Sequence, residues 1–142
     1  MDKVVEAQQA VVRALFNNVV QKHGGDCVGV YRSAGFVGED EVRVVDSGRG
    51  ISPSISGGGR VGMAWHRLRE VMAEQPGRGA WFTTTVRVST DGRYSFDFDY
   101  DNEPDWHIRP LDETYMADLE KYPRPPDQIP AWHPGHPSHR KS

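Results

Sequence analysis

The chain has 142 residues, 37% of them apolar and 26% charged, with a formal net charge of −3. That length holds one domain with a real core, and the near-balanced charge gives no electrostatic reason to bind nucleic acid. The single cysteine, Cys27, excludes an internal disulfide and suits a reducing compartment.

Residues 2 to about 22 read as an amphipathic helix, with Val5, Val12, Phe16 and Val19 near helical spacing and Val4, Val11, Leu15 and Val20 widening the stripe. Gly24-Gly25 ends it. The N-terminal MDKVVEAQQA is too polar for a signal peptide, and no run approaches the roughly 20 apolar residues of a membrane span. The expectation is a cytoplasmic protein without membrane contact. Cys27 to Tyr31 and Glu41 to Asp46 read as two strands joined through Gly35 and Gly38, and Cys27 in CVGVY reads as a small core residue. Residues 47–60, SGRGISPSISGGGR, form a flexible loop. A second helix covers about Val61 to Glu74, where Val61, Ala64, Trp65, Leu68, Val71 and Met72 follow the i, i+3, i+4, i+7 pattern, and Pro76-Gly77 ends it.

The stretch from Gly79 to Tyr100 is a β-hairpin whose register the sequence selects. A two-residue turn at Asp91-Gly92 would set Val86 opposite Asp97 and mix apolar with charged residues on each face. A three-residue loop, Thr90-Asp91-Gly92, is a type I turn with a left-handed Gly bulge. It pairs Val88 with Tyr94, Val86 with Phe96, Thr84 with Phe98 and Phe82 with Tyr100, making one face almost wholly apolar. The other face then holds Trp81, Thr83, Thr85, Arg87, Ser95, Asp97, Asp99 and Asp101. A slip by one residue inverts every side chain, so burial selects this register. A third helix follows from about Asp112 to Tyr122, with Asp112 as N-cap and Leu111, Tyr115 and Leu119 as its stripe. Pro123, Pro125, Pro126 and Pro130 make the next segment extended. The order of elements predicts a single α+β domain over residues 1–132, an antiparallel sheet of two hairpins with helices packed on one face, and a flexible polar tail over 133–142.

Few residues carry chemistry. Gly57-Gly58-Gly59-Arg60 precedes a helix start, where backbone N–H groups hold anions, but it lacks the ending of a P-loop and the spacing of a dinucleotide fingerprint. His133, His136 and His139 recur every three residues, yet the intervening Pro and Gly preclude a rigid metal site. No cofactor or metal is expected. The strongest charge feature is Asp97, Asp99, Asp101, Glu103 and Asp105. These carboxylates alternate on an exposed face and are solvated alike, unlike a catalytic pair. Their mutual repulsion is relieved by a basic partner. Trp81 on the same face is the exposed aromatic anchor.

The hairpin and the residues after it resemble the YezG-type immunity proteins and their actinobacterial relatives. The resemblance rests on the Gly-x-Trp strand, Asp91-Gly92-Arg93-Tyr94, Phe96-Asp97-Phe98-Asp99-Tyr100-Asp101, Tyr115-Met116-Ala117-Asp118-Leu119-Glu120 with Tyr122-Pro123-Arg124, and Ile129-Pro130-Ala131-Trp132. It covers residues 79–132. It implies a protein that binds a cognate toxin domain, encoded by the adjacent gene, and occludes its active cleft. Trp81, Asp97, Asp99, Asp101 and Glu103 are the expected contacts. The alternatives are a small-molecule or phosphate-binding enzyme using loop 47–60, and a general protein-interaction module.

Overall fold

The computed structural model describes residues 2–46, 48, 50–55, 57–75 and 77–139. Helix α1 (Lys3–Leu15) starts at Asp2, whose carboxylate accepts the Val4 N–H at 2.7 Å. Ala7, Val11, Val12 and Leu15 form its buried stripe. A π turn over Phe16–Val20 widens the helix and shifts its phase, so that Val19 and Val20 both bury. The single turn α2 (Gln21–His23) ends at Gly24, whose φ of 73° is left-handed.

Strands β1 (Asp26–Ala34) and β2 (Val37–Asp46) form an antiparallel hairpin, longer than the apolar runs predicted because pairing continues through Arg32–Glu39, Ser33–Gly38 and Ala34–Val37 to the Gly35-Phe36 turn. A two-residue strand, β3 (Gly50–Ile51), lies against the end of β2. Helix α3 spans Gly59–Ala73, followed by β4 (Thr83–Val88), β5 (Tyr94–Asp99) and α4 (Asp112–Lys121). All pairings are antiparallel in the order β3-β2-β1-β4-β5, so the α+β class holds, with β3 added to the two expected hairpins.

Helices α1 and α3 pack on each other and on one sheet face. Helix α3 comes tight against β1 at Gly29, where an added Cβ would stand 2.8 Å from the Trp65 ring. Glycine there lets Trp65 lie flat over Tyr31, with ring centroids 5.3 Å apart at an interplanar angle of 8°. Helix α4 closes one end of the sheet beneath the β1–β2 turn, with Ala34, Phe82 and Tyr115 forming a second buried cluster beside Trp106 and Trp132. Its N-cap position is Leu111, not Asp112, and Leu111 is exposed instead of joining Tyr115 in the stripe.

The β4–β5 register matches expectation at Val88–Tyr94, Val86–Phe96 and Thr84–Phe98, and Gly92 takes a φ of 86° at the bulge. It departs at the start of β4. Thr83 is the ladder partner of Asp99, and the Phe82 N–H also reaches the Asp99 carbonyl at 2.8 Å. Two residues of one strand thus answer to one of the other, the geometry of a β-bulge. Alternation slips by one, which sends Trp81 into the main core and Phe82 into the second cluster. The expected Phe82–Tyr100 pairing and the exposed Trp81 are both corrected by this slip. Phe96 and Phe98 are only half-buried, because β5 is the sheet's edge.

The polar tail expected from His133 departs from the structure at its first residue. The His133 ring is 1% exposed and packs against Phe82, Tyr115 and Trp132. A 3₁₀ turn follows at Pro137–His139, and residues 140–142 of that segment lie outside the described residues.

Candidate functional site

The sheet face away from α1 and α3 carries charged side chains on both of its halves, and the two halves are built differently. On the β1–β2 half, Arg32 is buried between Glu39 at 3.4 Å and Glu41 at 3.1 Å, and Arg43 reaches Glu41 at 3.5 Å. Residues after β5 wrap back over this half. His107 and Ile108 donate backbone N–H groups to Glu39, and the His107 ring meets Glu41. Burial alone would raise the Glu41 carboxyl, but His107 and Arg32 hold it below the usual carboxylate range.

On the β4–β5 half, strand alternation turns Thr83, Thr85, Arg87, Ser95, Asp97 and Asp99 to this face, with Arg87, Ser95 and Asp97 exposed and Thr83, Thr85 and Asp99 half-buried. The expected contact residues divide into four groups. Asp97 and Asp101 are exposed, and among the described residues neither carboxylate has a hydrogen bond or ion pair. Arg87, on the same face, stands opposite Ser95 and forms no ion pair with Asp97. Asp99 shapes the chain: it accepts the N–H groups of Asp101 and Asn102 at 3.0 and 2.9 Å and the Asn102 amide at 3.0 Å. Burial opposes its ionisation, and those three donors outweigh burial and lower its pKa. Glu103 pairs with Arg109 at 2.7 Å, and Arg109 also reaches Asp112 at 3.0 Å. Trp81 is fully buried and cannot be an exposed anchor.

A groove of about 250 Å³ runs along Thr83, Thr85, Asp97 and Asp99. It adjoins a second, about 420 Å³, lined by Arg124, Asp127 and Trp132, and the two share Arg78, Tyr100 and Asp101. The Arg78 guanidinium lies 4.0 Å from the Tyr100 ring centroid. Arg124 lies over Phe82 at 4.8 Å and donates to the carbonyls of Ala80 and Gln128.

Sequence reasoning missed Arg69. Its guanidinium grips Asp118 with two bonds of 2.6 and 2.9 Å and donates to the Trp81 carbonyl at 2.7 Å, while Asp118 also accepts the Gly35 N–H at 2.9 Å. The signal was present. Arg69 stands four residues after Trp65 on the buried stripe of α3, where a charge requires a partner. Asp118, Arg124 and Trp132, which donates its indole N–H to the Asp101 carbonyl at 2.7 Å, close the fold. The motif residues behind the resemblance therefore include several structural clamps.

Loop 47–60 is tied to the sheet edge where it is described. Ser52 accepts the Val44 N–H and donates to the Pro53 carbonyl, Ile55 bridges Val42, and the Gly57 carbonyl accepts from Asn18. Ser47, Arg49 and Ser56 lie outside the described residues. Of the three spaced histidines, His133 is in the core, His136 meets Ser138 and His139 meets the Ala131 carbonyl. Among the described residues no group of three or more His, Cys, Asp or Glu is placed to hold a metal, and no helix is long and apolar enough to cross a membrane. No protein-family model and no curated protein matches the chain.

Proposed function

We propose that this protein is an immunity protein that binds a cognate toxin domain in the cytoplasm of the producing cell and occludes its active cleft. One observation carries the reading. The β4–β5 half of the open sheet face presents the carboxylates of Asp97 and Asp101 with no hydrogen bond or ion pair among the described residues, Asp101 meeting the Arg124 charge at longer range, beside a sister half where Arg32, Glu39, Glu41 and Arg43 pair with one another. Carboxylates free of ion pairs on β5 and just past its end suit a basic cleft, where they stand in for the charge of a phosphate-bearing substrate and speed association. The resemblance over residues 79–132 supports the same role. Where it is described, loop 47–60 is tied to the fold, Ser52 Oγ accepting the Val44 N–H and the Gly57 carbonyl accepting from Asn18.

The test is titration of the product of the adjacent gene with the purified protein, reading binding by calorimetry and toxin activity in parallel. One-to-one binding with loss of toxin activity is the expected result. No binding, or binding that leaves the toxin active, overturns the proposal.

A further inference from the structure

The sheet has two free edges, and they differ. One ends in β3, only two residues long, and a short edge strand offers little to pair with. The other is β5, six residues without proline or lysine and without a bulge of its own. The Ser89 N–H donates to the Arg93 carbonyl and the Phe82 N–H to that of Asp99, so the odd-numbered residues of β5 turn their backbone groups toward β4. Alternation then aims the N–H and C=O of Tyr94, Phe96 and Phe98 outward, on a side where no strand follows.

The side chains along that edge state what it accepts. On the helix-facing side, Tyr94, Phe96 and Phe98 form an unbroken aromatic row, Tyr94–Phe96 at 5.9 Å and Phe96–Phe98 at 5.6 Å. The row is half-covered, and an apolar hollow of about 270 Å³ lies nearby between Val12 of α1, Phe16 of the π turn and Gly92 at the hairpin tip. On the other side stand Asp97 and Asp99. A strand added to β5 would present side chains alternately to an aromatic row and an acidic row. We infer that β5 is a docking edge that takes an extended strand of a partner protein in which basic and apolar residues alternate. A second copy of this chain fits poorly, because antiparallel pairing of two β5 edges brings both acidic rows onto the same face. The inference rests on the toxin-binding reading and specifies how the partner is held.

The experiment follows backbone amide exchange at Tyr94, Phe96 and Phe98 in the full chain. Three probes are used: the adjacent gene's product, a heptapeptide alternating Lys and Val, and its Glu–Val counterpart. The adjacent product and the Lys–Val peptide should slow exchange at those three amides on the order of tenfold or more, and the Glu–Val peptide should not. Tyr94→Pro removes an outward donor at a residue that is 44% exposed, and it should weaken binding far more than Tyr94→Ala. If the adjacent product binds without protecting these amides, the edge assignment falls and the immunity reading stands. If it does not bind at all, the immunity reading falls, and the peptides alone decide the edge: equal behaviour of the two peptides, or no protection by either, overturns it. A parent dimer that Tyr94→Pro converts to monomer also overturns it, because the occupant is then a second copy.

Discussion

On the β1–β2 half of the open face, every carboxylate of the network meets a cation or a backbone N–H: Glu39 meets Arg32 and two N–H groups, and Glu41 meets Arg32, Arg43 and His107. On the β4–β5 half, among the described residues, Asp97, Asp101, Arg87 and Arg78 make no ion pair, and Asp101 meets the Arg124 charge at longer range. Both halves belong to one sheet. The difference comes from the chain that returns after β5. It wraps residues 103–109 over the first half and leaves the second half bare. Charges that pair internally add to the fold, whereas charges without partners contribute little to stability and are free for another molecule.

Breaking the closed side at its deepest point has the largest expected effect. Asp118→Ala leaves the Arg69 guanidinium, 2% exposed, without its carboxylate, and costs about 3–5 kcal/mol in chemical denaturation. A loss under about 1 kcal/mol would show that the clamp does not hold α4 to the sheet. Acid is the next lever. Burial pushes His133 down to about 4, below its ordinary 6.5. Because the folded pKa lies below the unfolded one, stability is full above 6.5 and falls as pH drops from there toward 4, by up to roughly 3 kcal/mol. Replacing His133 with Phe should flatten this part of the pH profile, and an unchanged profile would assign the acid sensitivity elsewhere.

Glu41→Gln tests the paired network more gently. It weakens the hold on Arg32 and should cost about 1–2 kcal/mol, whereas Asp97→Asn on the bare half should change stability by no more than about 0.5 kcal/mol. Equal costs at the two positions would erase the contrast between the halves. Smallest of all is the response of Cys27. Burial raises its thiol to about 11, so alkylating reagents at neutral pH should leave the folded protein unmodified and label it only on unfolding.

Much of this fold was legible in the sequence because local rules suffice for it. The helix stripes, the left-handed Gly24 and Gly92, and three of the four hairpin pairs follow from periodicity and turn chemistry. The bulge at Phe82 was not legible, since nothing in Ala80-Trp81-Phe82-Thr83 marks an extra residue, and that one slip moved Trp81 from contact surface to core. The role of Asp99 was hidden for a related reason. Its side chain caps a turn with Asp101 and Asn102, a local use that simple alternation overlooks. The polar tail was misjudged at His133 because an aromatic pocket built by Phe82, Tyr115 and Trp132 comes together only in three dimensions.

The central claim is that the bare β4–β5 half meets the partner. Its most direct test is the association rate of the adjacent gene's product with the parent and with the Asp97→Asn, Asp101→Asn double variant, which spares the structural Asp99. The measurement is made at low salt and again above 0.1 M, where charges farther apart than about 10 Å are screened. The account predicts that the double variant associates several-fold more slowly at low salt, that the two rates converge as salt rises, and that thermal stability is unchanged. Equal rates at low salt would contradict it.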